Sequence, residues 1–327
     1  MSSFRLGLVG AGKIVRDQHL AAIQATAGLE LVAVADPHAG LEGIPCYPSL
    51  EAMLAAEPEL NAVAICTPSH LRHALARQAL EAGKAVLLEK PPGATLAEVE
   101  DLKTLAEQRD LVLFAAWHSR FAPAIEPARE WLRGRRLRAI EITWHEDVRV
   151  WHPGQAWLWE AGGMGVFDPG INALSIVTRL VDQSFFLKQA RLEVPENCQT
   201  PIAAQLKMRD AAGVPLEADF DFRHEDPPCW KMTLTTDRGR LELSGGGCRM
   251  SVDGDVVIDQ AEREYPGLYA HFQSLLASGR RDVDVVPLRH VADAMMLGHR
   301  HSTAPFHDER ATLAPHTHDD AATRERT

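Results

Sequence analysis

The sequence predicts an α/β protein: a doubly wound parallel sheet, then a second α+β unit with a mostly antiparallel open sheet. Three observations carry this reading. Over residues 1–117, short nonalternating runs rich in Val and Ile alternate with helical patterns, as buried parallel strands do. A glycine-rich turn, Gly10-Ala11-Gly12, joins the first run to the first helix. Beyond His118 the rhythm changes to alternating runs separated by turn signals.

Taken in order, 6–9 is the first strand, and a helical pattern follows the glycine turn to near Gly28. The runs 29–35 and 62–66 stop at Asp36-Pro37 and Thr67-Pro68, with helices expected at 49–56 and 70–82. Strand 85–88, helix 96–108 and strand 111–115 complete the alternation. Right-handed crossovers then place all strand carboxyl ends on one side, where ligands bind.

The second unit opens with a helix at 123–132, followed by strands at 137–144, 187–194, 203–209, 214–222, 231–236 and 239–244. Turn signals at Asp237-Arg238-Gly239 and Asp253-Gly254 favour antiparallel pairing. Helices at 171–180, 268–278 and 287–297 are expected to cover one face of this sheet. The division is therefore 1–117, 118–300, and a polar stretch 301–327 that lacks an apolar period and is expected to be a mostly disordered tail. Its histidines, His301, His307, His316 and His318, are read as solvated, with no metal site.

A chain of 327 residues exceeds one ordinary core, and 46% apolar residues supply material for two. The net charge of -11 argues against nucleic acid and anionic membranes. The start has no charged segment leading into a long apolar one, and no run of about 18 apolar residues follows, so a cytoplasmic protein is expected. Five scattered cysteines without CxxC spacing fit free thiols.

Gly10, Gly12, Lys13 and Ile14 sit between a strand and a helix, the context in which a GxGxx turn cradles a pyrophosphate against a helix N-terminus. Val15 replaces the third glycine and should space helix and sheet more widely. Asp36 ends the second strand, 24 residues after Gly12, where a carboxylate can accept from ribose hydroxyls and repel a 2′-phosphate. The reading is a Rossmann domain for a nicotinamide dinucleotide, NAD favoured, with NADP left open by nearby His38. An ordinary strand-to-helix turn and a turn-forming Asp-Pro are the plainer alternatives.

At Glu89-Lys90-Pro91-Pro92 the chain resembles the glucose–fructose oxidoreductase/inositol dehydrogenase (Gfo/Idh/MocA) family. The resemblance runs from residue 5 to about 300, through GKIVRDQHLAAI, CTPSHL (66–71), AGKAVLLEKP (82–91) and GGMGVFDPGIN (162–172). Segments 115–132, 146–157 and 167–179 are similar to its bacterial L-arabinose and D-galactose 1-dehydrogenases. The resemblance implies oxidation of an anomeric carbon to a lactone, assigns Thr67, Pro68, His70, Glu89 and Lys90 to the cofactor site, and implies a cis Lys90–Pro91 bond.

Removing a hydride from a hemiacetal carbon requires the adjacent hydroxyl to lose its proton, so a basic or polar group must touch that oxygen. Lys90, at a strand's carboxyl end, is the first candidate. Asp168 and Asn172 lie four apart on one helical face. By resemblance, Asn172 stands where most of the family has a histidine base; an amide cannot accept that proton, which leaves removal to Lys90 or Asp168. Asp168 could instead cap the helix that begins at Pro169.

The resemblance also brings His118, Glu146, Trp151, His152 and Trp230 together as a pocket of hydrogen-bonding groups and flat apolar faces for an aldose. Two alternatives stay open: a catalytically silent sugar or dinucleotide sensor, and an oxidoreductase acting on a ring hydroxyl. A homodimer through the second sheet is a further expectation.

Overall fold

The computed structural model describes residues 3–225 and 227–308. Six strands, Phe4–Val9 (β1), Leu29–Ala35 (β2), Cys46–Tyr47 (β3), Ala62–Ile65 (β4), Ala85–Glu89 (β5) and Leu113–Ala116 (β6), form one parallel sheet in the order β3-β2-β1-β4-β5-β6. β4, β5 and β6 are buried on both faces, which is why they read as unbroken apolar runs. The order reverses between β1 and β4, so their connections diverge and leave a crevice at the carboxyl ends. Val9 is in register with both Ala35 and Ile65, which sets the glycine turn between Asp36 and Cys66.

The first helix opens with a π-helical turn, Val15–His19, and continues as Leu20–Ala25 (α1). Leu50–Ala56 (α2), Ser69–Glu81 (α3) and Leu96–Gln108 (α4) follow the next strands. Ser49 caps α2, and Thr95 with Glu98 forms a capping box on α4. These three pack on one face of the sheet against Val9, Val63, Ile65, Val86 and Leu88.

The second unit contains Ile125–Leu132 (α5), Leu137–His145 (β7), Val148–Trp151 (α6), Phe167–Leu180 (α7) and Phe185–Pro195 (β8). Ala203–Asp210 (β9), Pro215–Asp221 (β10), Cys229–Thr236 (β11), Gly239–Ser244 (β12), Arg249–Val252 (β13) and Asp255–Asp259 (β14) follow. Glu264–Ser278 (α8), Val286–Leu297 (α9) and His299–Thr303 (β15) complete it. Nine strands form a sheet in the order β14-β13-β12-β11-β7-β10-β9-β8-β15, antiparallel except for β7 with β10 and β8 with β15. α7 lies in its core and is buried nearly all round. The opposite face of the sheet presents charged side chains, among them Glu141, Lys207, Arg209 and Glu217.

Three expectations need correction. The helix expected over 268–278 on the second sheet is α8, and it packs Tyr265, Leu268, Tyr269, Phe272 and Leu275 against Leu6, Leu8, Leu87 and Phe114 of the parallel sheet. α2, α3 and α4 all lie on the other face, so α1 alone would leave this face bare, and α8 returns to cover it. The stretch read only as the turn Asp253-Gly254 is the hairpin β13–β14, with both turn residues at positive φ (52° and 97°). The polar tail does not begin at His301: β15 adds to the sheet edge beside β8. Edge pairing is made by backbone groups and needs no apolar period, and His299 to Ser302 are accordingly exposed. His316 and His318 lie outside the described residues.

Candidate active site

The glycine turn closes directly onto the end of β4. Gly10 has φ +95°, and a Cβ there would meet the Cys66 carbonyl carbon at 3.2 Å and the Thr67 nitrogen at 3.3 Å. Gly12 differs: a Cβ there meets nothing within 4 Å, so the protein's own packing does not demand glycine. Val15, in place of the third glycine, is fully buried, and the helix takes the wider π turn at this point. Lys13 pairs with Asp17 at the surface, and Ile14 is exposed.

Asp36 accepts hydrogen bonds from the backbone N–H of Ala11 (2.8 Å), His38 (2.8 Å) and Ala39 (2.9 Å). Burial works against its charge, but these bonds prevail and hold the carboxyl below its ordinary range. Across the crevice, the buried Thr67 hydroxyl has no hydrogen-bond partner among the described residues. Pro68 precedes α3, whose Ser69 hydroxyl donates to the Gly162 carbonyl (3.2 Å), and exposed His70 faces the same Gly162 loop. The open flank of Gly12 and the orphaned Thr67 hydroxyl fit a dinucleotide entering the crevice.

Beside it, β5 ends in Glu89, Lys90 follows directly, and the Lys90–Pro91 bond is cis. Lys90 Nζ donates to Asp168 Oδ2 (2.9 Å) and to the Asp168 carbonyl (3.0 Å), joining the end of the parallel sheet to the first turn of α7. The turn before α7 is sterically tight. A Cβ on Gly165, at φ +53°, would stand 2.2 Å from the Pro201 carbonyl oxygen. Asp168 does not cap α7: the helix begins at Phe167, and its N-cap, Val166, makes no side-chain bond. Instead the carboxylate, 3% exposed, faces Lys90 and His152 Nε2 (3.5 Å). Burial opposes its ionisation, but Lys90 and His152 outweigh it and hold the carboxyl below the usual range.

Around this pair stand the remaining candidates. Asn172, one turn along α7, is half-buried, and its amide has no hydrogen-bond partner among the described residues. Glu146, just beyond β7, accepts from Trp230 Nε1 (2.9 Å) and lies 3.8 Å from His152 Nε2. Burial raises its carboxyl to about 7 despite the Trp230 N–H and the Lys90 charge. Burial also pushes the His152 imidazole down from 6.5. Trp230 stacks on Trp144 (5.9 Å) and meets the half-exposed Trp151 (5.0 Å), making an aromatic wall.

His118 is more strongly engaged by protein than a free ligand group would be. Its Nδ1 contacts the Glu264 carboxylate, and its ring stacks on Tyr265 (5.3 Å). Burial opposes protonation, but Glu264 and Glu89 prevail and raise it.

Residues 4–116 match the Gfo/Idh/MocA oxidoreductase family with its NAD-binding Rossmann fold. A galactose 1-dehydrogenase from Pseudomonas fluorescens is 46% identical over 308 residues, 94% of this chain and 100% of that protein. The chain belongs to the Gfo/Idh/MocA oxidoreductase family. As a member of this family it takes NAD(P). The crystal structure of a D-galactose-1-dehydrogenase from Rhizobium etli matches with a TM-score of 0.90 at 50% identity, covering 94% of this chain and 99% of that one. A 3-ketoreductase from Actinomadura kijaniata shares the fold at 17% identity, with a TM-score of 0.79 over 92% of this chain and 100% of its own.

Sequence reasoning missed the support behind Lys90. Glu89 Oε1 accepts from Tyr265 (2.7 Å) and faces His19 Nε2 (3.1 Å), while Oε2 accepts the Lys90 backbone N–H (2.7 Å). His19 Nδ1 meets the Tyr269 hydroxyl at 2.6 Å. Arg72, buried, donates to the carbonyls of Thr67 (2.8 Å), Glu89 (2.7 Å) and Pro91, bracing both sides of Lys90. Two signals were legible. His19 falls four residues after Val15 and four before Ile23, on the apolar face of its helix. Tyr265 and Tyr269, two of only three tyrosines in the chain, are likewise one turn apart.

Proposed function

We propose that the protein oxidises the anomeric carbon of an aldopyranose of the D-galactose/L-arabinose type to the corresponding lactone, with NAD favoured over NADP. The observation that carries this reading is the buried Lys90–Asp168 contact, made between the strand end beside the cofactor crevice and the helix beneath the aromatic wall. The whole-length similarity to a galactose 1-dehydrogenase supports the substrate class.

When bound, the nicotinamide supplies the hydride acceptor. The protein's task is then to orient one hydroxyl and move its proton. Lys90 is the group to touch the reacting oxygen, and Asp168, held ionised, fixes the ammonium and balances its charge. The free amide of Asn172 is suited to hold the same hydroxyl without taking its proton. Trp151 and Trp230 offer flat faces to the C–H side of the ring, and Glu146 and His152 offer acceptors to its hydroxyls. His118, already paired with Glu264, would reach the sugar only through its other ring nitrogen.

Asp36 supports NAD because an ionised carboxylate at the end of β2 repels a 2′-phosphate. D-Galactose and L-arabinose differ by one CH2OH group, which pockets discriminate only modestly, so both are expected substrates. A panel of aldoses with NAD and NADP, followed by identification of the product, tests the reading. Lactone from either sugar is expected; a keto sugar, or no turnover beside tight NAD binding, would sink it.

A further inference from the structure

The proton taken from the sugar must leave a site whose carboxylates are both nearly closed to water, Asp168 at 3% exposure and Glu146 at 4%. His152 is the member of this group most open to solvent, with a fifth of its side chain exposed. Its Nε2 faces inward, 3.5 Å from Asp168 Oδ2, the same oxygen that accepts from Lys90 Nζ at 2.9 Å. Its Nδ1 faces Gln155 Oε1 at 3.4 Å. Both ring nitrogens thus face acceptor oxygens, an amide on one side and a carboxylate on the other; the acceptor role requires the neutral tautomer with its hydrogen on Nδ1, toward Gln155, and the Nε2 lone pair toward the Lys90–Asp168 pair.

We propose that His152 is the acceptor through which the substrate proton leaves the site, rather than a sugar-binding residue alone. This rests on the reading of the protein as a sugar dehydrogenase. In the step, the O–H bond of the substrate breaks, and its proton passes to the Lys90–Asp168 pair. One proton moves from that pair to His152 Nε2, so the pair regains its charge. The imidazolium then gives a proton to water. The electron pair of the breaking C–H bond goes with the hydride, so the proton path requires no further oxidant.

The surroundings suit that role. The charged groups facing the imidazole are Asp168 from α7, Glu146 beyond β7, Lys90 beyond β5 and Lys13 from the glycine-turn helix. The Phe222 ring, beyond β10, lies 5.7 Å away. Burial with the two lysines outweighs Asp168 and lowers the imidazole from 6.5, so it is neutral and able to accept at neutral pH. Oxidation should therefore fall as the pH drops through a midpoint below about 6.5, the ordinary histidine value. An acceptor at Glu146 would instead place that midpoint near 7.

Two measurements test this. In 15N-histidine NMR of the cofactor-free chain, His152 is assigned as the resonance missing from His152→Asn. The Nδ1–H tautomer and a midpoint below about 6.5 are expected; the Nε2–H tautomer would overturn the proposal. In steady-state pH profiles, His152→Asn should lower kcat about 10²-fold and remove the acid limb, while Glu146→Gln keeps that limb. Added imidazole should restore His152→Ala at least about tenfold, in proportion to its free base. A limb that survives His152→Asn, or that vanishes with Glu146→Gln, refutes it. If the wild type turns over no aldose the functional reading fails, whereas the NMR result still decides the acceptor state of His152.

Discussion

Glu89 and Asp168 are both carboxylates more than nine-tenths buried, and both hold Lys90, yet their surroundings differ in kind. Glu89 grips the Lys90 backbone N–H and is enclosed by His19, Tyr265 and the charge of Arg72, so its bonds are satisfied inside the protein. Asp168 grips the ammonium itself, and its neighbours are the lysine and a partly exposed histidine. A closed network fixes where a backbone lies. An open one leaves its charge to be shared with whatever enters. Equal burial therefore does not imply equal role; the deciding property is whether the partners are all internal.

The largest expected effect breaks the open side. Lys90→Ala should lower turnover by about 10²–10⁴-fold, the usual worth of an acid–base group, while NADH binding, followed by its fluorescence, survives. Near-normal turnover would remove Lys90 from the proposed chemistry.

Glu89→Gln breaks the closed side and should act first on stability. It leaves His19 without its carboxylate, and loss of one partner of a buried pair costs about 3–5 kcal/mol. The pH dependence sharpens the contrast. His19 is raised to about 10, since Cys66 and Glu89 overcome burial, so its contribution is complete below its unfolded value of about 6.5 and is lost as pH rises toward 10. Glu89 is lowered, because His19 and the nearby cations overcome burial, so its contribution holds above about 4.5 and is lost in acid. Thermal unfolding from pH 4 to 10 should show a decline on the alkaline side in the wild type that is reduced in Glu89→Gln, where Cys66 remains beside His19. An unchanged alkaline arm would mean that the pair does not carry this charge.

Gly165→Ala tests the turn that presents Asp168. With φ +53° and a carbonyl oxygen 2.2 Å from the added Cβ, it should cost roughly 1–3 kcal/mol and weaken turnover through Asp168. Wild-type melting together with wild-type activity would show that α7 is positioned otherwise. The smallest effect lies at the far end of the cofactor crevice, where Asp36→Ser should raise the NADP/NAD activity ratio about fivefold, the factor given by a charge repulsion of ~1 kcal/mol. A constant ratio would count against the 2′-phosphate argument.

Much of this was legible in the chain. The apolar runs ending at Asp36, Thr67 and Glu89 located the strand ends, because strands buried on both faces admit few polar residues, and the glycine turn stood out for the same local reason. Lys90 and Asp168 could be named from their settings. Their contact could not, since 78 residues and a change of sheet separate them. Arg72 and the tyrosines escaped notice because nothing local to them announces that their partners are carbonyls and carboxylates from other strands.

By itself, then, the sequence determined the parallel sheet and the glycine turn, which follow from periodicity or backbone conformation within a few neighbours, while His118, Glu146, Trp151, His152 and Trp230 were named through the resemblance to the family. Only the tertiary structure decided that α8 covers the first sheet, that β15 extends the second, that Asp168 faces a lysine rather than capping its helix, and that His152 turns its Nε2 toward that pair. Those outcomes depend on which faces remain uncovered after the local elements form and on which polar groups are then buried together. Both are properties of the assembled core and not of any segment.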